Sequence, residues 1–471
     1  MRLTRKQFVV GSAASALSVA GIYELVDRLG SSPSRVAAGR VPSEQHTLDG
    51  VRVLRDNGVE VVVPPLHHEV VTAKLRVGET PRELAEARSA LEDALRKLDE
   101  RFEPTPAGLG VTVAWGLPYF ERYVPGQMAK HLPLDKRASA QRGTPVRVLE
   151  DAIRFPSDPE QTRLEENDLA VLLRSDSLDH VAAGAKALFD DLEPLFRTTS
   201  IRKGFVGGGF DGGPGLPKQM ATAAGIDGAD LIPDGAELFF GFTSTQKAGL
   251  GPSKIANLET LGYADLAPSA YFAGGTHLHL SHIFEDLAAW YLALDFQSRL
   301  DTTFRPGLSV PQDVQTVPQG ARTAQTASEV RRDYVRYRQI GHSGSLQPVS
   351  RLDRDVVADD GTVYARGTAV PQRADFNTLD NPFFWTADEA GDAWSDVPAA
   401  GLHFVVFNPT SDDFRRGRLA MDGVMPDGSR LAFGTGSSGQ GFNRLLTTTH
   451  RQNFLVPPRA HRSFPLSELK A

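Results

Sequence analysis

Apolar and polar positions alternate along this chain in two recognisable rhythms. Val59–Val63 is a β-branched run, and after Pro64-Pro65 a second extended stretch covers Glu69–Val77. Thr80, Pro81 and Glu83 then supply a cap, a proline at the first helical position and a capping-box acid. Leu84, Ala87, Leu91, Leu95, Leu98 and Phe102 recur at three- and four-residue steps, which predicts a helix with one apolar face. Val111–Trp115 reads as a strand, and a polar excursion rich in Pro, Arg and Lys runs from Tyr119 to about Glu166. Leu169–Leu173 is the next buried strand, Ser177–Leu192 the next amphipathic helix and Ile201–Val206 the last strand. The order β-α-β-β-α-β is the ferredoxin-like arrangement.

A weaker second copy follows. Tyr271–Leu280 is expected as strand, Phe284–Phe296 as helix, Leu402–Phe407 as strand, Asp412–Leu419 as helix and Asn453–Val456 as strand. Its remaining strand has no clear place, because Ser343–Trp394 is a long loop-like stretch. The fold class expected is α+β, with two ferredoxin-like halves forming a dimeric α+β barrel-like sandwich. Residues 1–40 would be an export signal and linker, 41–215 the first half and 216–471 the second.

The N-terminus has a different character. Arg2, Arg5 and Lys6 precede an apolar, small-residue stretch from Phe8 to Tyr23, and no acidic residue occurs before Glu24. A basic region, a short apolar region and then Ser/Pro/Ala-rich sequence mark an export signal. Thr4-Arg5-Lys6-Gln7-Phe8-Val9 resembles a twin-arginine signal with Lys at the second Arg, so both export routes stay open. Val36-Ala37-Ala38 would suit a signal peptidase, and an uncleaved anchor is the alternative. The expected location is exported, periplasmic or extracellular, with tethering by an uncleaved signal as a variant.

Composition narrows the chemistry. The 471 residues are 41% hydrophobic and 23% charged, as in ordinary folded proteins, and the formal charge of −7 speaks against nucleic-acid binding. There is no cysteine. That removes disulfides, thiolate metal sites, iron–sulfur clusters and cysteine nucleophiles. A metal must sit on His and carboxylates or inside a cofactor. No Gly-x-Ser-x-Gly elbow is present, so an α/β-hydrolase is excluded.

The last strand of the first half runs into Gly204-Phe205-Val206-Gly207-Gly208-Gly209-Phe210-Asp211-Gly212-Gly213-Pro214. So many glycines let the backbone approach a flat or bulky ligand closely. The loop lacks the marks of a dinucleotide or Walker loop. Asp211 reads either as a positioned acid/base or as an Asp-Gly turn. Gly208-Gly209-Phe210-Asp211-Gly212 matches the Gly-x-x-Asp-Gly motif of the dye-decolourising (DyP-type) haem peroxidases, and the chain resembles that family as a divergent member. Gly274-Gly275-Thr276 before a strand and Trp290, Gly401–Phe407, and Asn453–Pro458 as a closing strand are further similarities, spanning roughly residues 55 to 460.

The resemblance implies haem b as cofactor, hydrogen peroxide and a small reductant as substrates, and two ferredoxin-like halves. It makes Asp211 the distal acid/base and His342, in Ile340-Gly341-His342-Ser343, the axial ligand of the haem iron. Arg366 would be the distal arginine and Arg305 a partner for a haem propionate. Read without it, His342 is a loop histidine among glycines and Arg366 a strand-end surface arginine. A carboxylate should hold the other ring nitrogen of an axial histidine, and Asp412 and Asp413 qualify by position. The chain departs from the family in Gly213-Pro214-Gly215-Leu216-Pro217 after the motif, in Thr368 and in an insertion over Ala236–Thr260.

His277, His279 and His282 form a second constellation. On a strand the first two share a face, His282 would arrive from the turn, and Glu285 or Asp286 could complete a zinc or copper site. The alternative is a half-buried strand with Leu278 and Leu280 in the core. His67-His68 places its rings on opposite faces. Phe239, Phe240 and Phe242 are core aromatics or line a cofactor cavity, and Tyr364 and Trp290 are candidate radical sites.

Taken together, the chain is expected to be an exported haem peroxidase that oxidises an organic reductant. Nucleic acid is not an expected partner; the twin-arginine machinery and a second copy of the chain are. The rivals are a haem- or iron-binding protein of the same fold without turnover, and a His-rich zinc or copper protein.

Overall fold

The computed structural model describes residues 23–27, 29–30, 42–207, 214–251, 270–318, 325–357, 361–387, 397–434 and 436–469. The first half contains β1 (His67–Leu75), α1 (Pro81–Arg101), β2 (Gly110–Gly116), β3 (Leu169–Ser175), α2 (Leu178–Ala185) and β4 (Phe196–Phe205). α1 begins where the sequence predicts. The Thr80 hydroxyl accepts from the Glu83 amide, the Glu83 carboxylate accepts from the Thr80 amide, and Pro81 stands at N1. Leu84, Ala87, Leu91, Leu95 and Leu98 are buried against the sheet with Val71, Val113 and Val171. Each such burial contributes roughly 1.5–3 kcal/mol. The sheet order is β4-β1-β3-β2, all antiparallel, which is the ferredoxin-like order.

The second half repeats it with β5 (Thr276–Glu285), α3 (Ala327–Tyr337), α4 (His342–Ser350), β6 (Phe376–Thr378), β7 (Gly401–Asn408), α5 (Ser411–Met421) and β8 (Leu446–Val456). Its strands lie in the order β8-β5-β7-β6. The two sheets meet at both edges. β8 pairs with β2 through Phe454–Gly116 and Leu455–Trp115, and β6 pairs with β4 through Asn377–Phe205. Eight strands therefore close into a ring. Val70, Ala114, Leu172, Leu278, Leu280, Phe376, Val405, Phe407 and Phe454 fill its interior. This is the α+β, barrel-like pairing of two ferredoxin-like halves.

Three elements differ from the sequence expectation. β5 starts at Thr276 and runs to Glu285, so the helix expected over Phe284–Phe296 is replaced by Leu287–Leu292 and Phe296–Thr303. Both faces of β5 are buried over Thr276–His282, so no apolar/polar alternation marks its limits. The missing strand is β6, with three residues too short for any periodicity. The polar excursion carries short helices at Leu117–Tyr123, Pro125–His131 and Lys136–Arg142. No described helix is long and apolar enough to cross a membrane, and residues 1–22 lie outside the described residues.

Candidate functional site

His342 opens α4, on the helix-covered side of the second sheet. Gly341 and Gly344 let this turn lie directly on the backbone of Phe304 and Arg305. A Cβ at either position would run into the Phe304 carbonyl, and the Gly344 amide donates to that carbonyl at 2.8 Å. The His342 ring stacks on Phe442, centroids 4.6 Å apart at 25°, and Phe442 in turn packs on Phe240 and Trp290. Burial pushes the His342 imidazole down to about 3, and the positive charges of Arg373 and Arg418 push the same way. The ring is thus neutral at physiological pH. Its Nδ1 is buried with no hydrogen-bond partner.

Cross-strand register shows what shares this side. Arg373 pairs with Val406, Val406 with His279, and Leu402 with Ile283, so these side chains project from one face of the sheet. Ile283, Leu402 and Phe404 on that face remain partly accessible, although they are apolar. Arg373 donates from Nη2 to the Ser244 carbonyl at 2.6 Å and lies 3.6 Å from Asp375. Its charge also reaches Glu237, a buried acid that burial raises to about 7 and whose carboxylate accepts from Thr245 at 2.6 and 2.8 Å. Glu285 ends β5 on the same face. Burial, with Asp375 adding to it, raises its carboxyl to about 8, and its Oε2 is buried without a partner. Arg418 of α5, whose charge also acts on His342, is held by Asp158 and Asp422, each at 3.3 Å. The described groups are a neutral imidazole under the charge of Arg373 and Arg418 and, on the sheet face that carries Arg373, a carboxyl that burial holds toward its protonated form.

The residues singled out by sequence divide as follows. Asp211 lies outside the described residues. Arg305 adjoins the His342 turn, with its guanidinium half-exposed and paired to Asp333 at 2.9 Å. Arg366 is exposed on a turn, held through its amide to Asp355 at 2.7 Å, and makes no contact with His342. Arg373, together with Arg418, is a guanidinium whose charge acts on His342. Sequence reasoning passed over it because Gln372–Arg373 is a two-residue strand inside a stretch without periodicity. Asp412 and Asp413 do not reach the ring. Arg137, Arg142 and Arg416 engage them at 2.8–3.5 Å.

The histidine metal site is corrected by the structure. His277 and His279 share a face, but His282 lies on the opposite one, inside the ring. Both ring nitrogens of His279 are taken, by Asn453 at 2.7 Å and Ser281 at 2.6 Å, and its ring stacks on Phe414. His282 bonds Thr449 at 2.7 Å. Among the described residues, no group of three His, Asp or Glu side chains is arranged to hold a metal ion. Trp290 donates to the Phe240 carbonyl at 3.0 Å inside an aromatic core that Phe239, Phe240 and Phe242 share.

The donor set suits haem iron. The neutral imidazole of His342 is the kind of donor that haem iron takes. The carboxylate that commonly orients such a ring is absent among the described residues.

Comparison with known proteins agrees with the fold. The chain is similar to the oxyferrous complex of DtpA from Streptomyces lividans, with 16% identity over 92% of this chain and 95% of that chain and a TM-score of 0.52. A DyP-type peroxidase from Cellulomonas bogoriensis matches with 15% identity over 89% and 96% and a TM-score of 0.49. A DypB variant from Rhodococcus jostii RHA1 in complex with heme matches with 14% identity over 85% and 95% and a TM-score of 0.46. At such identities the DtpA likeness establishes the fold alone, the α+β pairing of two ferredoxin-like halves. No protein of curated function matches the sequence. A sequence family model spans residues 65–458, nearly all of both halves, and the chain belongs to that family, described as "Family of unknown function (DUF7405)".

Proposed function

We propose that the protein is an exported haem-dependent peroxidase that reduces hydrogen peroxide and oxidises an organic reductant. The observation that carries this reading is His342: a partly buried, neutral imidazole at the start of a helix over the second sheet of a dye-decolourising-peroxidase fold. Bound haem b would supply the redox chemistry of peroxide cleavage. His342 would hold the iron, and Arg305 beside it would meet a propionate. Asp211 would take a proton from one oxygen of hydrogen peroxide and return it to the other. A fixed cation would stabilise the charge on the departing oxygen. The resemblance assigns that task to Arg366, whereas the geometry favours Arg373, whose charge acts on His342.

One observation favours a second reading, haem binding without turnover. No described carboxylate contacts the His342 ring, so nothing raises its basicity as a peroxidase ligand. One experiment separates the two. Protein reconstituted with haem should show an intense Soret band that His342→Ala weakens or shifts, and the parent should oxidise a dye only with peroxide. A band without peroxide-dependent oxidation selects the carrier reading. No haem uptake by the parent refutes both.

A further inference from the structure

The segment that follows the apolar leader is built into the fold. Residues 23–27 are helical, and Tyr23 and Val26 are buried, Val26 completely. They belong to one apolar cluster with Leu66, Phe205, Phe239 and Leu379. The Tyr23 hydroxyl donates to the Lys203 carbonyl of β4 at 3.2 Å and bonds the Thr378 hydroxyl of β6 at 3.1 Å. Asp27 contacts the ring of His67 at the start of β1, at 2.6 Å. Gly30 lies against Leu66, where any side chain would meet the leucine methyls.

These contacts fall where the fold is least supported. Between β4 and β6 the two halves share one backbone pair, Asn377–Phe205, reinforced by the Asn377 amide on the Phe205 carbonyl at 3.2 Å. Tyr23 bonds both strands of that seam. Beyond the Val36-Ala37-Ala38 cleavage motif the chain is pinned again. Ser43 accepts from the Arg459 amide at 2.9 Å, and Gln45 donates to Val113 at 3.2 Å and Pro457 at 2.7 Å. Cleavage after Ala38 would discard a core residue and a clasp of the ring while keeping the segment behind it.

We propose that residues 23–27 and 29–30 remain part of the folded protein, so that the leader is retained after export and holds the protein on the membrane. The inference rests on the export reading of residues 1–22, and the measurements below let the two fail separately. The ground for retention is what the fold would lose. Removing the segment uncovers Leu66, Phe205 and Leu379 and leaves Thr378 and the Lys203 carbonyl without their Tyr23 partner.

The test begins with the full chain expressed in an export-competent host, fractionated and analysed by intact mass and peptide mapping. The expected result is a carbonate-resistant membrane protein whose Tyr23–Gly30 peptide is present. Deleting residues 1–22 should release it in soluble form with unchanged thermal stability. A soluble exported protein beginning at residue 39 overturns the proposal. An intact protein confined to the cytoplasm overturns export and the tether. The docked segment is then judged by stability. Tyr23→Ala/Val26→Ala should lower the melting temperature by roughly 5 °C or more. The exposed Glu24→Ala should leave it unchanged, and equal melting of all three proteins would show that the segment contributes nothing.

Discussion

Replacing Arg373 and Arg366 in turn tests the site most directly, because the resemblance and the geometry disagree about them. Arg373 is fixed at two points, on the Ser244 carbonyl at 2.6 Å and beside Asp375 at 3.6 Å, and its charge is felt by His342 and Glu237. Loss of one preorganised charge-stabilising donor costs about 10²–10³ in turnover, or about 3–4 kcal/mol of barrier. Arg373→Ala in haem-saturated protein should therefore reduce the peroxide reaction by about a hundredfold or more. Arg373→Lys should recover part of that, keeping the charge without the planar fork. Arg366 projects into solvent, so Arg366→Ala should change the rate by no more than about twofold. Stopped-flow mixing with peroxide measures the step, and the Soret band shows that haem stays bound. A second reading needs no haem. By NMR, the His342 imidazole should titrate higher in Arg373→Ala than in the parent, while staying below its ordinary value because burial is the larger cause. Arg366→Ala should leave it where it is. If Arg366→Ala abolishes the reaction and Arg373→Ala is neutral in both assays, the assignment from geometry is wrong.

Two further outcomes follow from the buried titratable groups. Burial raises Asp176 to about 6, Glu237 and Asp380 to about 7 and Glu285 to about 8. The folded state holds these protons more tightly than the unfolded chain, so their stabilising effect is complete below pH ~4 and is lost as pH rises through 6–8, by up to about 1.4 kcal/mol per unit for each group. His46 and His342, lowered to about 3, and His277, lowered to about 4, act in the opposite sense: their contribution is complete above pH ~6.5 and is lost as pH falls. Melting temperature should therefore peak in mildly acidic buffer. Glu285→Gln should flatten only the alkaline limb, and unchanged slopes in that variant would contradict the assignment. For the strand histidines, zinc or copper should leave the melting temperature of the parent unchanged. A metal-dependent rise that His279→Ala abolishes would restore the metal reading.

The first half was legible because its elements advertise themselves. α1 has a cap, a proline and an unbroken apolar stripe, and β2 and β3 are short apolar runs that the sheet buries on both faces. The second half hides its signals. β5 alternates Leu and His, a pattern that suggests one polar face, yet His277, His279 and His282 are all fully buried. The polar partners that make this tolerable come from elsewhere in the chain: Asn453 for His279 and Thr449 for His282, both on β8. Of the ring partners a local window holds only Ser281, on the second nitrogen of His279. β6 is more extreme. Its three residues are a strand only because β4 and β7 lie on either side of them, so tertiary pairing alone creates the element.

The same distinction governs the site. His342 could be named because a short motif surrounds it, whereas the groups that give it its character share no stretch of sequence with it. Arg373 and Arg418 sit on different elements from His342 and from each other, and their effect on its protonation exists only after β7, α4 and α5 are packed. Glu285 was noticed as a potential metal ligand because it follows three histidines. In the fold it is separated from that role and becomes a buried acid on the face of the sheet that carries Arg373. Charge type was therefore readable and charge environment was not. A carboxyl at the end of a strand is ordinarily ionised. Here the loss of water, with Asp375 adding to it, keeps it neutral, just as burial keeps the His342 imidazole neutral. That combination leaves Arg373 as a cation facing neutral neighbours as well as Asp375. On the proposed function, an incoming peroxide oxygen would meet that cation with Asp375, at 3.6 Å, as the carboxylate that offsets it.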